Sequence, residues 1–152
     1  MKKAWIIGLC IVALLLPVAF YSGIVITNNA IAHGMAKELK SAPLPEGTIL
    51  MDSFSLAGKL VGNGNGMQYM GSILVISPLS EEELYDYYSE AFDYVEVRKQ
   101  ETQKIDFINS QDYSFELFGD PQHHDHYSVT CFKSQGTDDL AGVLLNLDLR
   151  GH

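Results

Sequence analysis

The chain has 152 residues, which is enough for one membrane or export segment and one small domain but too short for two full domains. Of its 19 acidic and 10 basic side chains, 18 acids but only six bases lie from Ser41 onward. A surface this acidic repels phosphate backbones and anionic lipid, which argues against a nucleic-acid partner and a polybasic membrane-surface role. The content of 47% hydrophobic and 11% aromatic residues argues against disorder.

The first predicted element is an apolar helix. Residues 4–26 contain no charge, and at ~1.5 Å per residue a helix of that length reaches ~34 Å, enough to cross a bilayer. The alternative is a cleaved signal peptide, because Lys2 and Lys3 form a basic start and Ala30-Ile31-Ala32 resembles a cleavage site. The run exceeds the ~7 to 15 apolar residues of a secretory signal, so the sequence favours an uncleaved anchor.

The charges flanking this run predict its orientation. Lys2 and Lys3 favour residues 1–3 as a cytoplasmic tail, residues 4–26 as a transmembrane helix and the remainder outside the cytoplasm. We expect residues 27–46 to form a juxtamembrane segment and spacer, extended at its prolines. The domain then covers residues 47–152.

A capping box predicts the main helix of the domain. Ser80 is the expected N-cap, and Glu83 follows three residues later. Apolar side chains recur with helical spacing up to a predicted end near Asp93, which indicates one face laid on a core. They are Leu84, Tyr87, Tyr88, Ala91 and Phe92.

Alternating apolar and polar residues predict strands elsewhere in the domain. Two Asn-Gly steps in residues 62–66 indicate a hairpin, and Cys131 is expected to be a small buried residue of its strand rather than a reactive thiol. The sequence therefore predicts an α+β fold, with one main helix on a five- or six-stranded antiparallel sheet. The predicted strands lie in residues 48–54, 56–61, 67–77, 94–99, 105–107, 113–117, 127–131 and 145–149.

A cluster of histidines is the clearest candidate for a functional site, namely a metal-binding site. His124 and His126 lie two residues apart, so in an extended chain both side chains point to the same side. With His123 and a carboxylate from Asp120 or Asp125, they could bind zinc, copper or nickel. The alternative is a solvated loop tip, whose composition would be similar. No catalytic residue is predicted, because no nucleophile motif or phosphate-binding loop is present in the sequence.

Three stretches of the sequence carry a family resemblance: residues 44–48, residues 57–69, and Leu79 to Leu84 with Tyr87-Tyr88. They resemble small, single-span, uncharacterised membrane proteins of Gram-positive bacteria. The resemblance implies a location in the cell envelope and transfers no site residue.

These features predict a membrane-anchored extracytoplasmic module that binds or scaffolds another component of the bacterial cell envelope without catalysis. One alternative is a metal-binding or metal-sensing domain that uses residues 123–126. A second alternative is an enzyme whose site is assembled across the sheet. The expected partners are the membrane, through residues 4–26, and an envelope protein.

Overall fold

The computed structural model describes residues 2–60, 66–105, 113–116 and 125–150, with side chains described from Trp5 onward. The described elements follow in chain order. They are α1 (Lys2–Ser41), β1 (Ile49–Gly58), β2 (Gln68–Ile76), α2 (Glu81–Ser89), β3 (Val95–Gln100), β4 (His126–Ser134) and α3 (Leu140–Leu145).

Helix α1 is continuous over 40 residues and has two different halves. Its most apolar 18-residue window has a mean hydropathy of 2.6 and is only 6% buried. In the described part of the chain, α1 is the one helix long and apolar enough to cross a membrane. From Ile24 onward, one stripe of the helix is buried at intervals of three or four residues, namely Ile24, Asn28, Ala32, Ala36 and Leu39. Residues 27–41, expected to be juxtamembrane, thus form part of the core.

The four described strands form one antiparallel sheet in the order β1-β2-β4-β3. This confirms an α+β architecture with an antiparallel sheet, but the described residues give four strands instead of five or six. The two strands predicted in residues 48–61 are the single strand β1, with a register shift between Leu50 and Asp52. Residues 104 and 114 form only an isolated bridge.

The strand predicted at residues 145–149 is wrong. Asp139 caps α3 by accepting a hydrogen bond from the Gly142 amide at 2.6 Å, and the helix continues to Leu145. Turns then carry the chain through Leu147 and Asp148. The alternation of leucines with polar residues reflects a docked turn segment, in which Leu147 and Leu149 are exposed and Asp148 is buried.

Strand β2 is buried on both faces, so it lies at the centre of two apolar clusters. On one face, Ile73 and Val75 pack with Leu39 of α1 and with Leu84 and Tyr88 of α2. The opposite face packs under a segment outside the sheet, in a cluster formed by Leu60, Met70, Leu74, Ile105 and Phe115. The helices and the residues around 105 and 115 thus cover opposite sides of the sheet.

The closest approach of α1 to the sheet occurs at Gly71. A Cβ atom built on Gly71 would lie 2.7 Å from the carbonyl carbon of Met35 and closer still to the amide nitrogen of Ala36. The absence of a side chain at Gly71 therefore lets the helix backbone rest directly on β2.

The predicted capping box is confirmed. The Glu83 amide donates to the Ser80 hydroxyl, and the Ser80 amide donates to the Glu83 carboxylate at 2.8 Å. Helix α2 ends at Ser89, four residues before the predicted end. Tyr88 is buried as expected, whereas Tyr87 remains 39% exposed.

Candidate functional site

A groove lies beside α1, on the helical side of the sheet. It encloses about 640 Å³, within the range of clefts that bind ligands. One wall is α1 between Ala30 and Glu38, the other is the turn from α2 into β3, and residues 131–133 of β4 form the floor. The α1 wall of the groove begins at Ala30, four residues beyond Ile26, the last residue of the apolar run.

The walls of the groove combine apolar side chains with a charged rim. Ile31 and Met35 line it from α1 and are half-buried, while Phe92 lines it from the opposite wall. Lys133 and Glu38 supply charges of opposite sign at its edge. An apolar interior with a polar rim is the arrangement of a protein-binding surface.

Tyr94 stands at the edge of this groove in an uncommon backbone conformation. Its φ of 55° lies in the left-handed region, and its side chain is 83% exposed. Such a conformation costs free energy for a residue other than glycine and is held by the surrounding structure. The exposed tyrosine offers a partner a large amphipathic contact of the kind enriched at interfaces.

Cys131, at the floor of the groove, is not arranged as a nucleophile. Burial, followed by the nearby Glu38 carboxylate, raises the pKa of its thiol to about 12. The thiol is therefore protonated at neutral pH, as the sequence predicted for a buried strand residue. Cys10 and Cys131 are both free.

A buried polar network joins the end of the chain to α1. The Asn28 amide donates to Asp148 Oδ2 at 2.9 Å and to the Leu145 carbonyl at 3.1 Å. The Tyr69 hydroxyl donates to Asn28 Oδ1 at 2.8 Å. Arg150 donates to both Asp148 oxygens, at 2.7 Å from Nη2 to Oδ2 and 2.9 Å from Nε to Oδ1. Both donor hydrogens and the acceptor oxygen of the Asn28 side-chain amide are thus used inside the fold.

The network also sets the charge of Asp148. Burial alone would raise the pKa of this carboxyl, but the hydrogen bonds from Arg150 and Asn28 outweigh burial and lower the pKa. Asp148 is therefore ionised at neutral pH and forms an ion pair with Arg150. For Tyr69, burial and then the Asp148 charge raise the pKa.

A second group of buried polar side chains lies on the opposite face of the sheet. Ser72 and Thr130 share a hydrogen bond of 2.8 Å, and Gln100 Nε2 donates to Ser128 Oγ at the same distance. His126 is the register partner of Gln100 and is 1% exposed. These contacts tie three strands together and use the hydroxyls within the fold.

The structure describes two of the five predicted metal ligands, His126 and Asp125, and Asp125 forms an ion pair with Lys99. His126 begins β4 and is buried, whereas Asp120, His123 and His124 lie outside the described residues. Within the described ranges, no group of three or more His, Cys, Asp or Glu side chains could hold a metal ion. Binding of zinc, copper or nickel by residues 120–126 stays a prediction.

The groove and the Asn28 network escaped sequence analysis for one reason. Both depend on residues 28–38 packing against parts of the chain more than forty positions away, whereas the sequence predicts only a juxtamembrane segment there. The sequence feature that could have revealed them is one helical stripe that continues beyond the apolar run of residues 4–26. It consists of Ile24, Asn28, Ala32, Ala36 and Leu39.

Comparisons of the chain with protein-family models, with curated proteins and with solved structures give no match. The function is therefore inferred from the geometry described above.

Proposed function

We propose that this chain is a membrane-anchored, extracytoplasmic module that binds an apolar segment of another envelope protein in the groove beside α1. In this proposal residues 4–26 cross the membrane, residues 1–3 stay in the cytoplasm, and the domain acts by binding rather than by catalysis. The observation that carries the proposal is that α1 serves both as the apolar helix and as one wall of the groove.

The packing of α1 favours an anchor over a cleaved signal. Cleavage after Ala32 would remove Asn28, which is fully buried and hydrogen-bonded to Asp148 and Tyr69. Asp148 would lose one of its hydrogen-bond donors, and the sheet would lose half of the helix that covers it. Leaving buried polar groups without partners is costly, so retention of the whole helix supports the domain's stability.

The continuity of α1 also supports a groove close to the surface of the membrane. Ala30 and Gly34 line it only four and eight residues beyond Ile26, which at ~1.5 Å per residue is ~6 to 12 Å along the axis. A groove at this height suits a partner that is itself attached to the membrane. The flanking Lys2 and Lys3 support an exterior location for the domain.

Site-specific photocrosslinking in intact cells tests the proposal. A benzophenone amino acid replaces Tyr94 at the groove, and a control chain carries it at Tyr85, which is 47% exposed on α2. We expect a discrete protein adduct from position 94 and none from position 85, identified by mass spectrometry.

A blocking variant decides whether the adduct depends on the groove. Gly34 lines the groove, and nothing lies within 4 Å of a Cβ atom built on it. Gly34→Trp therefore fills the groove, and its Cβ atom makes no steric clash. The adduct from position 94 should disappear in this variant. An adduct that persists with Gly34→Trp, or equal labelling from positions 94 and 85, would contradict binding in the groove.

A further inference from the structure

The C-terminal segment exposes several large apolar side chains that the fold leaves uncovered. Their exposed fractions are 74% for Leu140, 44% for Val143, 48% for Leu147 and 63% for Leu149. Four such residues fall within ten positions, whereas exposed apolar residues on soluble surfaces are usually isolated.

Hydrogen bonds to α1 fix the height of this segment. The Leu149 amide donates to the Tyr21 hydroxyl at 3.4 Å, and Arg150 Nη1 donates to Asn29 Oδ1 at 2.8 Å. The Asn28 amide donates to the Leu145 carbonyl. Residues 145–150 therefore lie beside residues 21–29 of α1, where the apolar run of residues 4–26 ends.

This height coincides with the surface of a bilayer crossed by residues 4–26. Tyr21 precedes Ile26 by five residues, so its Cα lies ~7.5 Å along the axis on the membrane side of the end of the run, and its hydroxyl accepts the hydrogen bond of the Leu149 amide. Apolar side chains of interfacial segments are buried ~5 to 10 Å into the boundary between headgroups and acyl chains. Apolar side chains of α1 on both sides of Tyr21 are exposed as well, since Phe20 is 54% and Ile26 is 65% exposed.

We propose that residues 145–150 dock on the phospholipid bilayer that α1 crosses, with Leu147 and Leu149 in contact with the lipid. The inference rests on the proposed anchor, because α1 determines the height of the segment. Docking gives the domain a second attachment to the membrane. Since Asp148 and Arg150 hold the segment against α1, the domain stands upright in one orientation with its groove beside the bilayer.

Quenching of tryptophan fluorescence by lipid tests this contact. The full chain has one tryptophan, Trp5, so the unchanged protein reports insertion of α1. In a Trp5→Phe background, Leu147→Trp reports the C-terminal segment, and Tyr85→Trp on α2 is the control. The three proteins are reconstituted in phosphatidylcholine vesicles with and without brominated acyl chains.

We expect brominated lipid to remove most of the fluorescence of Trp5 and of Leu147→Trp, and none from Tyr85→Trp. The emission of Leu147→Trp should also shift to shorter wavelength on reconstitution. Leu149→Trp, at a second exposed position, should behave in the same way.

The outcomes separate the two proposals. Quenching of Trp5 without quenching of Leu147→Trp and Leu149→Trp overturns the docking and leaves the anchor standing. A blue-shifted but unquenched signal that depends on protein density also overturns it, because a second protein chain then covers the segment. Quenching of Leu147→Trp without quenching of Trp5 contradicts the anchor and with it docking beside a crossing α1, and quenching of neither also contradicts both.

Discussion

Two buried tyrosines show how the polar chemistry of single residues contributes to this fold. The Tyr69 hydroxyl donates to Asn28, whereas the Tyr88 hydroxyl is buried without a hydrogen-bond partner among the described residues. Burial, and then the neighbouring Tyr87, raise the pKa of Tyr88 to about 12. The same functional group therefore stabilises the structure at one position and destabilises it at the other.

Removing each hydroxyl should thus have opposite effects on the free energy of unfolding. We expect Tyr69→Phe to destabilise the full chain in detergent by about 1 kcal/mol, because Asn28 loses a donor. Tyr88→Phe should stabilise it by up to about 1 kcal/mol, because an unsatisfied buried group is removed. Denaturant titration followed by circular dichroism measures both, and equal destabilisation by the two changes would contradict the assigned hydrogen bonds.

Asp148 should make the stability of the fold depend on pH. Its folded-state pKa is lowered below the ordinary value of 3.8, so its contribution is fully present above that value. The contribution is lost as the pH falls through the lowered folded-state pKa. We expect the unfolding midpoint of the native chain to fall more steeply below about pH 4 than that of Asp148→Asn. Parallel profiles for the two proteins would show that Asp148 is not held ionised by Arg150 and Asn28.

At the scale of elements, the contact between α1 and β2 decides the architecture. Gly71 lets the backbone of α1 approach the sheet, and the buried stripe of the helix completes the core. Helix α1 therefore occupies a place that a second domain helix would fill in a soluble α+β protein. The consequence is that the second half of α1 and the sheet form one packed unit.

A methyl group at Gly71 should push this unit apart. We expect Gly71→Ala to destabilise the full chain by about 3 kcal/mol, because the added atom meets helix backbone that cannot rotate away. Gly34→Ala is the matched control in the same contact region. It has open space around the added atom and a better helix former, so it should be neutral or stabilising by up to about 1 kcal/mol. Similar midpoints for the two variants would contradict the close approach.

Local sequence signals predicted the elements that depend on local chemistry. The box around Ser80 and the alternation around residues 94–99 and 127–131 correspond to α2, β3 and β4. The alternation at residues 145–149 misled because it arises from a turn segment docked on α1, where Asp148 faces Asn28 and the leucines face outward. Alternation alone cannot distinguish such a docked turn from a β-strand with one buried face, since both expose every second residue.

At the scale of the whole molecule, a single helix joins the long apolar segment to the groove. The second half of α1 buries Asn28, Ala32 and Leu39 against the domain, while its first half remains apolar and exposed. In the proposed arrangement the domain is therefore held directly on the bilayer rather than on a flexible tether. The central claim is that α1 is retained in full because the fold needs it.

The intact mass of the protein in carbonate-washed membranes tests this claim most directly. The chain is produced in a Gram-positive bacterium, and the membrane and soluble fractions are analysed separately. The account predicts a single full-length species that resists carbonate extraction and stays in the membrane fraction. A soluble species beginning at His33 would show cleavage after Ala32 and would contradict the account.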